Sequence, residues 1–464
     1  MFKDTIAAIA TSMSPSGIGI IRISGDDAVT VADRIFRSKN GKKLSETESH
    51  KVIYGHIYDG DILIDEVMVI LMLAPNSFTK ENTVEIDCHG GVYLMKRILS
   101  LVIKNGARIA QPGEFTKRAF LNGRIDLTES EAIINLISSK NELARKNSMN
   151  QLNGSLYHKI KGLREDILYE IAFIESALDD PEHISLDGYK QKLEGKINSF
   201  MQEIKHFISG FENGRMIQEG IYTAIIGKPN VGKSSFLNML LGKERAIVTE
   251  IAGTTRDTLE EDISLDGISL HLIDTAGIHS TNDYVEQIGI NRSKDAVEKA
   301  DLVIFLIDSS SPIDEDDREI FKILEGKKSI LLLNKTDLNQ VVRIEDLIQD
   351  NEFDSLPDDK YLIEISAKEN IGLDAFTDCV KKMFFDGFID FNDEICITSL
   401  RQKEQLEDAL QSLQNVQNSL SMNMPEDFYS IDLMAAYSSL GTIIGEEVGE
   451  DLVNEIFSKF CMGK

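Results

Sequence analysis

The apolar residues of this chain change their spacing three times. Thr5 to Ala10 and Gly19 to Ser24 read as strands split by the turn Ser14-Pro15-Ser16-Gly17. Val52 to Ile57, Glu66 to Leu73 and Thr83 to Cys88 continue the short-run pattern, with helical spacing between them at Asp27 to Phe36 and Val92 to Asn105. This predicts an α/β domain on an antiparallel or mixed sheet. From Thr116 to about Gly214 the period becomes helical. Leu127 to Asn141 opens with a capping-box pattern, Thr128-x-x-Glu131, and Leu156 to Leu178 and Tyr189 to Phe211 are long amphipathic stretches. Buried-strand runs return at Tyr222 to Ile226, Ser269 to Ile273, Leu302 to Ile307, Leu331 to Leu333 and Tyr361 to Ile365, and after Thr398 the helical pattern resumes. The order predicts a second α/β unit inserted between two halves of one helical domain, with approximate boundaries 1–118, 119–218, 219–384 and 385–464. Three tandem domains with a separate tail are the alternative.

The inserted unit carries the clearest chemistry. Gly227 to Ser234 (GKPNVGKS) fits the phosphate-loop pattern between a strand and the helix expected at Ser234 to Leu241. Its glycines permit a turn whose N–H groups surround an anion at a helix N-terminus. Lys233 would reach the β- and γ-phosphates, and the Ser234 hydroxyl would ligate Mg²⁺. Asp274-Thr275-Ala276-Gly277 follows a strand; Asp274 would hold magnesium through water and the Gly277 N–H would sense the γ-phosphate. Asn334-Lys335-Thr336-Asp337 supplies a carboxylate for two adjacent donors of guanine, which adenine lacks. Ser366-Ala367-Lys368 would close over the guanine O6. Four such elements in this order imply a GTP site. Ile278 occupies the place of the water-orienting glutamine of Ras-type switches, so another group must orient water. Asn230 either ligates a monovalent cation beside the phosphates or hydrogen-bonds its own loop.

Composition narrows the partners. The 464 residues carry a net charge of −28. Residues 1–120 are near neutral, with 15 basic and 14 acidic side chains, and the acidity lies in the rest. Nucleic-acid binding without sequence preference needs basic surface, so any RNA contact is expected to be local, weak, or shared with a partner. No run of about 18 apolar residues is present and the start does not read as a signal peptide, which argues against a membrane span and for a cytoplasmic protein. Cys88, Cys379, Cys396 and Cys461 are scattered without CxxC spacing, which disfavours structural zinc and disulfides.

Gln111 to Asp126 (QPGEFTKRAFLNGRID), Ile18 to Gly25 (IGIIRISG) and the ending Phe460-Cys461-Met462-Gly463-Lys464 resemble the MnmE (TrmE) family of tRNA-modifying GTPases, and the resemblance extends over the whole chain. It implies a multidomain α/β and all-α protein: an N-terminal folate-binding-like domain, a discontinuous helical domain and an inserted Ras-like P-loop GTPase domain. It implies a homodimer that works in a heterotetramer with the flavoprotein MnmG to add an aminomethyl or carboxymethylaminomethyl group at C5 of the wobble uridine of certain tRNAs. The implied one-carbon donor is 5-formyltetrahydrofolate or a related tetrahydrofolate, held by Arg22, Glu85, Arg124 and Lys464. Implied GTP contacts are Asn230, Val231, Gly232, Lys233, Ser234 and Ser235; Thr249, Glu250, Ile251, Ala252, Gly253, Thr254 and Thr255; Asp274, Thr275, Ala276 and Gly277; and Asn334, Lys335, Asp337, Ser366, Ala367 and Lys368. K⁺ would be held by Asn230, Thr249, Ile251 and Thr254, and Mg²⁺ by Ser234 and Thr255. Glu286 matches the catalytic glutamate, acting through a bridging water. Cys461 matches a cysteine near the folate pocket, either catalytic or a small buried apolar group. His279 and Gln402 stand where relatives often carry arginine and histidine.

Overall fold

The computed structural model describes residues 4–243, 261–273, 296–349, 361–385, 396–460 and 463. Among these residues the chain forms two compact units. One comprises residues 1–134, 150–201 and 407–464, the other residues 135–149 and 202–406.

The first unit contains a seven-stranded sheet built from β1 (Ile6–Ile9), β2 (Ser16–Ser24), β3 (Phe36–Ser38), β4 (Lys51–Asp59), β5 (Ile62–Met72), β6 (Thr83–Gly90) and β7 (Arg108–Ile109), in the order β3-β4-β5-β6-β2-β1-β7. Every pairing is antiparallel except β1 with β7, so the sheet is mixed, as the strand pattern suggested. Alternation decides its faces. Val67, Val69 and Leu71 of β5 and Val84, Ile86 and Cys88 of β6 are buried in one cluster. Helices Ala28–Ile35 and Val92–Lys104 add Val31, Ala32, Ile35, Ile98 and Val102 to it. The opposite face carries Arg22, Glu85, Asp87, Tyr54 and Met68, cross-strand neighbours in register. On β1 the alternation also splits two clusters: Ala7 joins the main core, and Ile6 and Ala8 pack with Ala110 and Phe115.

Helices Ser155–Asp179, Glu426–Ile444 and Glu450–Ser458 complete this unit, together with parts of Tyr189–Ser209 and Leu400–Ser421. The buried Arg164 donates to the Tyr437 carbonyl at 3.2 Å, lies 3.9 Å from the centre of the Tyr437 ring, and pairs with Glu446 and Glu447. The helix Leu127–Ser138 corrects one expectation. Its first turn is capped by Asp126 rather than Thr128: the Asp126 Oδ1 accepts from the N–H groups of Thr128 and Glu129, and the Glu129 carboxylate accepts from the Asp126 N–H. The Thr128 hydroxyl is used up as a donor to Asp126. Aspartate wins because an ionised carboxylate oxygen accepts from several donors at once.

The second unit holds β8 (Ile221–Ile226), β9 (Glu261–Leu265), β10 (Ile268–Leu272), β11 (Leu302–Asp308), β12 (Ser329–Asn334) and β13 (Leu362–Glu364), in the order β13-β12-β11-β8-β10-β9. All pairings are parallel except the edge pair β9–β10. β12 is buried throughout because helices cover both faces, which explains why its residues read as a continuous apolar run. Ile304 and Leu306 face one cluster, with Phe236, Leu240 and Phe376; Val303, Phe305 and Ile307 face the other, with Phe321 and Leu347. Parallel strands bring their carboxyl ends to one edge, where α/β sheets bind ligands.

One buried ionic cluster fixes the N-terminal sheet. The fully buried Arg118 side chain donates to Glu81 at 3.2 Å, to Glu114 at 3.0 Å and to Asp4 at 2.9 Å. Burial alone would raise the Glu114 carboxyl, but hydrogen bonds from Arg108, the Gln111 N–H and Arg118 outweigh it and hold the group below its ordinary 4.5. Its contribution to stability is therefore present above that value and is lost as pH falls through the lower, folded-state value. Removing the guanidinium takes the cationic partner from the buried Glu81, while Glu114 keeps Arg108 and the Gln111 N–H. Arg118→Met is expected to lower stability by about 3 kcal/mol, read as a reduced midpoint in urea unfolding of the full chain at pH 7.

Candidate functional site

The carboxyl ends of β8, β11, β12 and β13 assemble the nucleotide site of the second unit. After β8 the chain turns through Gly227 (φ 147°), Asn230 (φ 63°) and Gly232 (φ 103°) before the helix Lys233–Lys243 begins. The glycines are required here. A Cβ on Gly227 would lie 2.5 Å from the Leu306 carbonyl oxygen, and one on Gly232 would lie 2.3 Å from the Asn334 amide nitrogen. Val231 is buried and anchors the loop in the core, while Asn230, Ser234 and Ser235 are exposed on its outer side.

The Lys233 ammonium folds back over the loop, donating to the carbonyls of Gly227 at 2.6 Å and Lys228 at 2.8 Å. Burial pulls its pKa down to about 8. Lys228 is held from its other end: its ammonium lies 2.7 Å from Asp314 and 2.7 Å from Asp317, just past β11. Burial raises the Asp317 carboxyl despite that ammonium, whereas Asp314 is held below its usual range by Lys228.

The Asn-Lys-x-Asp and Ser-Ala-Lys elements form on the next two strand ends. Asn334, buried at the end of β12, donates from its amide to the Val231 carbonyl at 2.8 Å and accepts from the Ala367 N–H at 3.0 Å. Lys335 takes a left-handed backbone, φ 68°, and its ammonium meets Asp308 at 2.5 Å. Burial would raise Asp308, but Lys335 and the Ser310 hydroxyl and N–H hold it below its ordinary value. The Ser366 hydroxyl donates to Asp337 at 2.6 Å; this bond is the main cause that keeps the Asp337 carboxyl ionised below its usual range. Asp337 is thus a fixed, exposed acceptor, the form a carboxylate needs to receive two donors. Lys368 is exposed beside Glu369. Thr249, Glu250, Ile251, Ala252, Gly253, Thr254, Thr255, Asp274, Thr275, Ala276, Gly277, His279 and Glu286 lie outside the described residues.

Four positioning residues were not read from the sequence: Lys228, Asp308 and the Asp314–Asp317 pair. A carboxylate ending a buried strand, as Asp308 ends LVIFLID, is the signal that could have found one of them.

A second group of candidates lies beside the small apolar cluster on the side of the first sheet away from its main core. Arg22 and Glu85 are paired across β2 and β6, with Nε donating to Oε1 at 2.6 Å. A further Arg22 nitrogen donates to the Gly463 carbonyl at 3.1 Å, and the guanidinium sits 5.6 Å from the Phe115 ring centre. Gly463 (φ 87°) packs so closely that a Cβ would lie 2.3 Å from the Ile9 carbonyl oxygen. Arg124 lies 4.9 Å from the ring centre of Phe78 and donates to its carbonyl at 3.3 Å. Phe78 and Phe115 belong to the same small apolar cluster, so both arginines border it. Asp87, two residues along the same face as Glu85, is raised by burial and then by the Glu85 charge. Lys464 and Cys461 lie outside the described residues.

A glycine-lined phosphate loop, an Asn-Lys-x-Asp turn and a Ser-Ala-Lys loop on one edge of a parallel sheet define a P-loop GTP-binding protein. Comparison with known proteins narrows the class. A family model described as the MnmE helical domain matches residues 127–461, and one described as the GTP-binding protein TrmE N-terminus matches residues 5–124. Proteins named tRNA modification GTPase MnmE from Lachnoclostridium phytofermentans (54% identical) and Acetivibrio thermocellus (46% identical) align over 100% of this chain and of their own. One from Lactobacillus delbrueckii is 45% identical over 99% of this chain and 98% of its own. The chain belongs to the MnmE (TrmE) family of tRNA modification GTPases.

The Lys233 environment yields a pH dependence. Phosphates favour the charged ammonium, so nucleotide binding must hold the lysine protonated. Below about 8 the free protein already carries that proton; above it the proton has to be taken up. Affinity for GDP is expected to fall as pH rises from 7 to 9.5, with proton uptake on binding near pH 8.5. Calorimetry in buffers of different ionisation enthalpy measures both, and a buffer-independent heat at that pH refutes the assignment.

Proposed function

We propose that this chain is a potassium-activated GTP hydrolase that acts with a flavoprotein partner, MnmG, on the wobble uridine of tRNA, using a one-carbon unit from a tetrahydrofolate. The observation that carries the GTP part is the joint fixing of the phosphate loop and the Asp337 carboxylate through Asn334, Ala367 and Ser366. Kinship with the tRNA modification GTPases supports the tRNA part.

In this reading Lys233 exchanges its two carbonyl partners for phosphate oxygens, and Asp337 takes the two guanine donors. Ser234, exposed at the start of its helix, holds Mg²⁺ with Thr255. Asn230 is exposed and in a left-handed turn on the outer side of the loop, a position suited to a cation ligand; Thr249, Ile251 and Thr254 complete that K⁺ site. When bound, K⁺ supplies positive charge against the departing phosphoryl group. Glu286 orients the attacking water through a bridging water. Residues 1–118 hold the tetrahydrofolate and form the homodimer, 219–384 are the G domain, and 119–218 with 385–464 are the two halves of the helical domain.

For the folate, Arg22, Glu85, Arg124 and Lys464 are the proposed contacts. Arg22 fits the task because Glu85 and one carbonyl leave part of its five-donor fork for an anionic ligand, while a carboxylate suits a pterin N–H edge.

GTP turnover is expected to be at least tenfold faster in K⁺ than in Na⁺. Asn230→Ala should erase that difference, and Glu286→Ala should stop turnover while GDP binding persists. Equal wild-type rates in the two salts would remove the cation mechanism. For the folate contacts, calorimetry with 5-formyltetrahydrofolate should show binding to the wild type and none to Arg22→Ala; unchanged affinity in the variant would dismiss this ligand set.

A further inference from the structure

We propose that the β3–β4 edge of the first sheet is a docking surface for single-stranded RNA. The proposal rests on the tRNA-modifying reading above and deepens it by naming where an unpaired segment would lie.

The edge is unusual in charge. From Arg37 to Tyr58 the chain carries five lysines and arginines against two carboxylates, Glu46 and Glu48, in a protein of net charge −28. β3 has three residues and pairs with β4 alone, and the segment after it folds beside β4 to enclose a cleft of about 580 Å³. Lys39, Lys42 and Lys51 line that cleft, with Asn40, Tyr54 and one carboxylate, Glu48. Lys39 and Lys42 form no ion pair among the described residues, and Lys51 stands 3.8 Å from Glu48. Lys39 and Lys42, cations with no ion pair among the described residues, raise the local concentration of a polyanion, an effect the acidic remainder of the chain makes local.

Aromatic rings are interleaved with these cations. Tyr54, His56 and Tyr58 occupy alternate positions of β4 and therefore one face. Their rings follow one another at 6.0 and 6.4 Å between centres. The Lys39 ammonium lies 5.5 Å from the Tyr54 ring centre, and the Arg37 guanidinium 4.2 Å from that of Tyr58. Tyr54 is 41% exposed and its neighbour Val52 62% exposed. Exposed rings beside backbone-reaching cations are the arrangement that stacks bases and follows phosphates. A duplex hides its base faces, so the rings favour an unpaired loop. Acidic residues bound the surface on the hairpin side: Asp61 is 3.8 Å from Arg37, and Glu66 is in register with His56. The RNA backbone is therefore assigned to the Lys39–Lys42 side.

The test is fluorescence anisotropy with the full chain and two labelled probes, an RNA hairpin with a seven-nucleotide loop and a blunt RNA duplex of equal length. Wild type should prefer the hairpin. Lys39→Glu/Lys42→Glu should weaken hairpin binding about tenfold and reduce the slope of log affinity against log salt by roughly 1.5. Tyr54→Ala should remove the preference for the hairpin and leave the salt slope. Lys42→Gln/Lys51→Gln provides a milder pair should the charge reversal impair folding, and GTP turnover should be unchanged in all variants. Wild-type binding with unaltered affinity and slope in both lysine variants overturns this surface and leaves the tRNA reading standing. No binding of wild type to the hairpin or to a full tRNA transcript counts against the tRNA reading itself. Competition by poly-glutamate equal to that by polyuridylate overturns the proposal in favour of an acidic protein partner.

Discussion

The nucleotide site depends on one buried amide. Asn334 ends β12 and spends its two polar atoms on different loops, giving a proton to the phosphate loop at Val231 and receiving one from Ala367. Both partners are backbone groups, so the amide fixes loop paths rather than side chains. Parallel strands supply the rest of the constraint by ending on one edge. Gly232 follows from the same contact, because the Asn334 nitrogen occupies the volume any Cβ would need. The phosphate loop and the loops after β12 and β13 are thus mechanically one assembly. Two acidic anchors around β11 extend it: Asp308 restrains Lys335 and Asp314 with Asp317 restrain Lys228.

Two arginines of the first unit show how burial separates structural from available charge. Arg118 is enclosed and faces Asp4, Glu81 and Glu114 at once. Its charge is consumed in holding chain segments that are distant in sequence. Arg22 faces one carboxylate and one carbonyl and is about one-fifth exposed. The same side chain is therefore a fastener in one place and a group with donors to spare in the other, and the carboxylate count around each decides which.

Much of this architecture was legible because burial leaves periodic traces. Runs such as Leu302–Asp308 and Ser329–Asn334 are apolar on both faces and could be placed within one or two residues. β3 and β7, three and two residues long, are too short to carry a period and were not anticipated. The cap of Leu127–Ser138 was misassigned because Asp126-x-x-Glu129 and Thr128-x-x-Glu131 both fit the same spacing. The phosphate loop and the Asn-Lys-x-Asp turn could be read from short local motifs. The pairing of Arg22 with Glu85 was not visible, since it depends on strand register across 63 positions. For the same reason the Asp308, Asp314 and Asp317 anchors escaped notice: each is local to one strand end and meets its lysine only through the fold.

The first unit is assembled from three separated stretches, residues 1–134, 150–201 and 407–464. Helix Ser155–Asp179 packs against Glu426–Ile444, and Arg164 finds Tyr437, Glu446 and Glu447 there. During synthesis from the N-terminus, residues 202–406 emerge between these partners. The GTP-binding core can therefore be finished on the ribosome while the earlier helix still exposes its apolar face and an unneutralised guanidinium. Nascent chains of this protein have a built-in waiting period, and helix Ser155–Asp179 is the segment that chaperones would be expected to shield until the last stretch arrives.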